Sequence, residues 1–163
     1  MIRQEVLQSV LDPKSVHFKH FWLTSVDHAE SELLEVLCFG DYEDLHAIQG
    51  CEKWKAAIEN KLRMLTLLGL CEVPTELEYD QAMACCGIQD DITLEQRIVE
   101  LHALIHFELD SVGRRIKVLR CLDARDIYNG ERPLLLLKRV PRSRENTLAG
   151  LQQWKQKLQY QLR

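Results

Sequence analysis

The pattern of hydrophobic and polar positions is helical along most of the chain. Apolar residues recur every three or four positions with polar residues between them, which is typical of helices that bury one face. This spacing predicts helices over residues 2–11, 30–39, 52–73, 76–86, 93–106 and 144–162. A short turn or helix is expected at 41–49, and an aromatic connector at 17–23. The fold is therefore predicted to be mainly α.

Turn and capping residues separate the central helices. Pro74 is expected to end the longest helix, because proline cannot donate a helical hydrogen bond. Thr75 with Glu78, and Thr93 with Gln96, have the spacing of capping boxes, so each pair predicts the start of a further helix.

The period changes from about 3.6 to 2 after His106. Phe107 and Leu109 alternate with acids, and Ile116 and Val118 alternate with polar residues or Leu119 after a turn. Three helices followed by a short β-ribbon is the order of a winged helix. The apolar run at 134–137 is compatible with either a strand or a helix.

The predicted architecture is a short helical bundle followed by a winged helix and a C-terminal helix. The corresponding ranges are 1–59 for the N-terminal helical segment, 60–140 for the winged-helix part and 141–163 for the C-terminal helix. The six cysteines form no CxxC pair, and most lie among apolar residues, so they are expected to be buried thiols.

Charge is distributed unevenly along the chain. The whole sequence has a net charge of −4, yet residues 114–163 hold 13 basic and four acidic residues. This basic region could contact an acidic partner, the protein's own acidic N-terminal part, or nucleic acid. Because its basic residues are interspersed with apolar ones, a docking face or an internal contact is favoured over a disordered tail.

The predicted third helix argues against specific DNA binding. A helix that enters the major groove approaches a dense row of phosphates, so its flank is normally basic. Here Glu95 and Glu100 accompany a single Arg97, and Asp90 and Asp91 precede the helix. A winged helix of this charge is expected to bind protein, with nucleic-acid binding through the basic ribbon as the alternative.

The sequence contains no motif typical of an enzyme. A Walker loop, GxGxxG, GxSxG and HExxH are all absent from it. His102 and His106 have the spacing of two metal ligands on one helix, but two ligands are too few for a site. We expect no catalytic, cofactor-binding or metal-binding residues. The N-terminal residues lack a signal-peptide core, and we expect a cytoplasmic and nuclear protein.

Several stretches, in this order, resemble one family of protein-complex subunits. They are EVLQSVLDPKSVHFKHFWL (5–23), NKLRMLTLLGLCEV (60–73), ELEYDQAMACCGIQDD (76–91), FELDSV (107–112), CLDARDIY (121–128) and LQQWKQKL (151–158). Together they resemble PCI-domain subunits of the COP-nine signalosome, and above all the small ninth-subunit type of budding yeast, the counterpart of the seventh-subunit type. The helical stack before the winged helix is shorter than is usual for PCI domains.

This resemblance implies a scaffold subunit of the complex that removes a ubiquitin-like modifier from cullins. The other PCI subunits and the metalloprotease subunit of that complex would be its partners. The catalytic subunit carries a His-x-His metal site, which this sequence lacks. A PCI subunit of the proteasome lid or of a translation initiation factor is the alternative with the same fold.

Two surfaces are predicted to bind protein partners. An open sheet edge offers unpaired backbone groups to another strand, and Ile116, Val118 and Leu119 are placed on that edge. The apolar stripe of the last helix is the second surface, either packing on its own domain or joining a bundle with other chains. This stripe comprises Leu148, Leu151, Trp154, Leu158 and Leu162.

Overall fold

The computed structural model describes residues 1–72 and 76–162. Within them the chain forms α-helices and one small antiparallel sheet, as the hydrophobic pattern predicts. The helices are α1 (Gln4–Leu11), α2 (Lys19–Thr24), α3 (His28–Phe39), α4 (Lys55–Leu70), α5 (Tyr79–Cys86), α6 (Asp91–Glu100) and α7 (Arg144–Gln161). The strands are β1 (Glu76–Glu78), β2 (Ile105–Asp110) and β3 (Arg115–Cys121). Short 3-10 helices cover Tyr42–Ala47 and Glu52–Trp54.

The first three helices form the N-terminal layer. The aromatic connector contains α2, whose Trp22 is buried and meets the Phe39 ring edge-on at a centroid distance of 5.1 Å. The Asp27 carboxylate accepts from the backbone N–H of Glu30 and caps α3. This layer buries large aromatic surfaces against α3.

Helix α4 lies at the centre of the protein. Its α-helical part begins at Lys55, later than the predicted range, because residues 52–54 form a tighter 3-10 turn. Leu62, Leu65 and Leu68 are fully buried, in agreement with a helix that is covered from several sides. The predicted stop at Pro74 lies outside the described residues.

A strand and two helices precede the hairpin of the winged-helix part. The sheet order is β1-β3-β2, with β3 in the middle. The helix predicted from residue 76 is wrong over 76–78, because β1 occupies them; three residues are too few for the sequence to show a strand period. The capping box of Thr75 with Glu78 is wrong, since Glu78 precedes the first turn of α5; Thr75 itself lies outside the described residues.

Helix α6 begins two residues earlier and ends six residues earlier than predicted. Asp90, and not Thr93, is the N-cap, and its carboxylate accepts from the Thr93 N–H at 2.8 Å. The helix ends at Glu100, so the predicted helical pair of His102 and His106 is wrong, because His106 lies in β2. The apolar residues Leu94 and Ile98 are buried as predicted.

A single hydrophobic cluster runs through the helical layer and the winged-helix part. It extends from Val6 of α1 through α4 to Ile116 of β3. The boundary at 59/60 therefore crosses α4 inside one continuous core, and the three predicted ranges stay a prediction.

An irregular segment, which we call the strap (residues 128–143), connects the sheet region to α7. The apolar run at 134–137 within it is neither strand nor helix. The backbone N–H groups of residues 135–137 donate to the buried Glu35 carboxylate on α3 and not to a neighbouring strand.

Candidate protein-binding site

Helix α7 projects from the protein with every described residue exposed. The Ser143 hydroxyl accepts from the Asn146 N–H at 3.2 Å, so the predicted N-cap is confirmed. The five predicted stripe residues are uncovered; the exposed fractions are Leu148 47%, Leu151 56%, Trp154 62%, Leu158 38% and Leu162 87%. The structure thus contradicts the alternative in which this stripe packs on its own domain.

This exposure has a physical cost that a partner would remove. Most helical stability in proteins comes from packing an apolar face, which α7 lacks while its stripe is uncovered. A row of large apolar side chains on one helix is typical of a surface that enters a groove or a helical bundle.

The base of α7 is fixed to the core. The Tyr128 N–H donates to the Arg142 carbonyl at 2.8 Å, and the Arg144 N–H donates to the Tyr128 carbonyl at 2.9 Å. The Arg142 guanidinium contacts the Asp41 carboxylate at 3.1 Å. The direction in which α7 leaves the domain is therefore determined by the core.

Glu35 of α3 holds the middle of the strap. Its carboxylate is fully buried and accepts three backbone N–H groups, from Leu135 at 2.6 Å, Leu136 at 2.9 Å and Leu137 at 2.7 Å. Hydrogen bonds to a charged acceptor are among the strongest in proteins. The sequence shows no sign of this contact, because Glu35 lies about one hundred residues from its donors.

The start of the strap is bound to α2. Arg132 donates to the Trp22 carbonyl and, at 3.1 Å, to the Ser25 carbonyl, and its guanidinium lies over the Trp22 ring. Lys19 forms an ion pair with Glu131. The strap is thus attached along its length to the N-terminal helices.

Arg125, just before the strap, is a buried cation. Its guanidinium donates to the Gly40 carbonyl at 2.7 Å, to the Leu37 carbonyl at 3.1 Å and to the Asp41 carboxylate at 3.1 Å. Burial, together with the nearby Arg142, lowers its pKa to about 10, so it remains charged at neutral pH. It joins the end of α3 to the segment that leads into the strap.

The predicted open edge of the sheet is wrong at Ile116. β3 is central and pairs with β1 through Ile116 and Lys117, so these residues offer no free backbone edge. Ile116 is also fully buried, Val118 is half-buried and pairs with Phe107 of β2, and Leu119 is 54% exposed. Within residues 1–72 and 76–162, β1 and β2 each pair with β3 alone, so both are edge strands, and β2 is the longer one. Because β1 pairs only with residues 115–117 of β3, an open edge at Val118 and Leu119 stays a prediction.

The chain is similar to known proteins over its full length. No protein-family model matches it. COP9 signalosome complex subunit 9 of Eremothecium gossypii is 80% identical over the full length of both chains. The chain belongs to the COP9 signalosome subunit 9 family. Its relatives in Saccharomyces cerevisiae and Kluyveromyces lactis are 32% and 34% identical, over 97% and 95% of this chain and 96% and 98% of their own.

Membership of the subunit 9 family confirms the resemblance derived from the sequence stretches. The match includes the strap and α7, because it covers the full length of the chain. The protein-binding role of individual residues stays a prediction.

The basic third of this subunit 9 family member contacts its acidic part in several places. Arg114 binds the carboxylates of Asp80 at 2.8 Å and Asp91 at 2.9 Å, at the starts of α5 and α6. Further contacts join Arg115 with Glu76, Lys117 with Glu108, and Arg125 and Arg142 with Asp41. Nucleic-acid binding needs basic side chains that are free to contact phosphates. On the β2–β3 ribbon, Arg114, Arg115 and Lys117 are instead paired with acidic side chains of the same chain, which weakens the case for such binding.

All six cysteines are free thiols. Burial raises the pKa of Cys71 and of Cys86 to about 12, so both stay protonated. Cys85 is exposed, which corrects its expected burial. Among the residues that the structure describes, no cluster of three His, Cys, Asp or Glu side chains could hold a metal, and no helix is long and apolar enough to cross a membrane.

His17 connects the N-terminal layer to the segment before the strap. Its Nε2 lies 3.0 Å from Asp123 and its Nδ1 3.2 Å from Asp126. Burial of the imidazole lowers its pKa, but the hydrogen bonds to Asp126 and Asp123 outweigh this effect and raise the pKa above 6.5.

The raised pKa of His17 predicts a pH-dependent contribution to stability. The contribution is fully present below the ordinary pKa and is lost as the pH rises through the raised one. We expect His17→Gln to lower the melting temperature more at about pH 6 than at about pH 8. His28→Gln, at an exposed histidine, is the control. If His17→Gln lowered the melting temperature equally at both pH values, a stabilising role of the protonated His17 would be contradicted.

Proposed function

We propose that this protein is a non-catalytic scaffold subunit of the COP9 signalosome, the complex that removes a ubiquitin-like modifier from cullins. The observation that supports this function best is the apolar stripe of α7, which is exposed from Leu148 to Leu162 on a helix whose base is fixed to the core. A core from which a helix with an exposed apolar stripe projects can position other subunits, and this role needs no catalytic residues.

The family relationship favours the signalosome over other complexes with the same fold. The relatives named as signalosome subunits match nearly the whole chain, including the strap and α7. This match supports the signalosome over the proteasome lid or a translation initiation factor. We further propose a PCI-like domain and a cytoplasmic and nuclear site of action.

A second contact is proposed at the outer edge of β2. An edge strand presents unpaired backbone donors and acceptors, which a strand of a neighbouring subunit can use. Glu108 and Asp110 are exposed on this strand and lie opposite Lys117 and Arg115 of β3. A strand that adds to β2 is therefore expected to present basic side chains beside these carboxylates.

The scaffold function is tested by replacing the relative in Eremothecium gossypii with this chain. A strain that lacks its own subunit 9 should accumulate modified cullin, and expression of the full chain should restore the unmodified form. The fraction of modified cullin on an immunoblot is the measurement. Failure of the well-expressed chain to restore cullin processing would contradict the proposed function.

The level and the elution position of the metalloprotease subunit separate loss of scaffolding from loss of catalysis. In the strain without subunit 9, the metalloprotease subunit should remain at its normal level but elute outside the full complex. If the complex stays intact and cullin still accumulates in its modified form, the protein has a role other than scaffolding.

A further inference from the structure

The exposed stripe of α7 has the spacing of a coiled-coil seam. Its four leucines fit a register that alternates three and four residues apart, which keeps one face of a helix against a partner helix, while Trp154 lies beside that register. The seam comprises Arg144, Leu148, Leu151, Lys155, Leu158 and Leu162. Two cations therefore occupy positions that apolar residues fill in an ordinary seam.

The positions beside this seam carry no charge around Lys155, whereas Glu145 flanks the seam next to Arg144. Gln152, Gln159 and Gln161 flank it, together with Trp154. In most coiled coils the flanking positions hold the charges that select a partner and its orientation. In the middle of α7 this selection therefore falls to Lys155, with Arg144 as the second seam cation; both are exposed.

A cation within an apolar seam has to be matched when the seam is covered. Leaving the Lys155 ammonium buried without a partner would cost several times the energy of an ordinary hydrogen bond. A single polar residue at such a position is known to determine the register of helix pairs. A parallel second copy of α7 would place Lys155 beside Lys155, so self-pairing in this register is repelled.

We propose that α7 docks against an acidic helix of another subunit, with one carboxylate facing Lys155 and a second facing Arg144. The two cations are eleven residues apart, so these carboxylates lie about 16 Å apart along the partner. This inference rests on the proposed scaffold function and specifies the chemistry of the surface that receives α7.

Charge reversal in the seam tests this partner chemistry. Full-length, affinity-tagged chains would be expressed in Eremothecium gossypii without its own subunit 9, and the co-purified signalosome measured per mole of tagged chain by mass spectrometry. Lys155→Glu should reduce the recovered complex about ten-fold or more, because it places like charges together in a buried contact. Lys155→Arg should retain recovery within about two-fold, since the charge is kept.

Lys157→Glu is the matched control for the same charge change. Lys157 lies two residues from Lys155 and therefore on the opposite side of the helix. It should retain recovery within about two-fold, since an exposed charge off the contact contributes little. Equal losses of recovered complex from Lys155→Glu and Lys157→Glu would overturn the proposal, because the overall positive charge of α7, and not the position of Lys155 in the seam, would then explain both losses.

Replacement of Trp154 distinguishes failure of this inference from failure of the scaffold function. If Trp154→Ala releases the complex and Lys155→Glu does not, α7 docks but no carboxylate faces Lys155, and the acidic partner is overturned alone. If neither substitution releases the complex, docking through α7 is overturned as well. Circular dichroism of each purified chain verifies that its helix content is unchanged.

Discussion

Trp154→Ala is expected to release the protein from its complex without lowering its melting temperature. Trp154 is 62% exposed beside the α7 seam, so the isolated chain gains little from its packing. Large aromatic side chains at the centre of an interface commonly contribute about 2 kcal/mol or more to binding. We therefore expect at least a ten-fold loss of co-purified signalosome subunits, with an unchanged thermal unfolding curve.

Tyr160→Ala is the matched control for this substitution. Tyr160 is 82% exposed on the same helix, but it is two residues from both Leu158 and Leu162 and so faces away from the seam. It should leave both the complex and the melting temperature unchanged. A lower melting temperature for Trp154→Ala with an intact complex would mean that the stripe packs within the chain.

Glu35→Ala is expected to destabilise the isolated protein. It removes a buried carboxylate and leaves the N–H groups of residues 135–137 without their acceptor. Loss of charged hydrogen bonds and exposure of unsatisfied donors should lower the free energy of unfolding by about 3 kcal/mol. Urea unfolding of the full chain measures this change.

Glu32→Ala provides the comparison on the same helix. Glu32 is half-buried and pairs with the exposed His28 at 3.4 Å, one turn away. Its loss should cost about 0.5 kcal/mol, as expected for a surface pair. Hydrogen exchange should also become faster at the amides of 135–137 in Glu35→Ala alone. Unchanged exchange there would show that Glu35 does not hold the strap.

The sequence predicts those elements whose evidence is local. The Ser143 cap and the α7 stripe are encoded within a few residues of one another, and so are the alternating strands of the hairpin. Burial of Leu62 and Leu65 follows from the same kind of local period. Patterns of this kind also predict that α7 carries an apolar face, although they do not reveal whether the domain itself covers that face.

The contacts that position α7 depend on residues far apart in the chain. Glu35 meets the strap about one hundred residues later, and Arg125 is buried against the end of α3. Charged residues of this kind are usually exposed, so the sequence gives no reason to expect their burial. The three residues of β1 are too few for a strand pattern, and missing β1 led to an open edge being predicted at Ile116, which β1 covers.

The strap connects stability to scaffolding. Because Glu35, Arg132 and Arg142 fix the segment from which α7 projects, damage to the strap should misdirect the helix even when its own sequence is intact. Glu35→Ala is thus expected to weaken complex assembly as well, whereas Trp154→Ala affects assembly alone.

The size of the particle that carries the tagged, full-length chain tests the central claim most directly. Extracts of an Eremothecium gossypii strain that expresses this chain in place of its own subunit 9 would be separated by size exclusion, and the tagged fractions analysed by mass spectrometry. The scaffold function predicts one large particle that contains the tagged chain, the metalloprotease and the other signalosome subunits. Elution of the tagged chain as a free 19.0 kDa protein, apart from an intact signalosome, would contradict it.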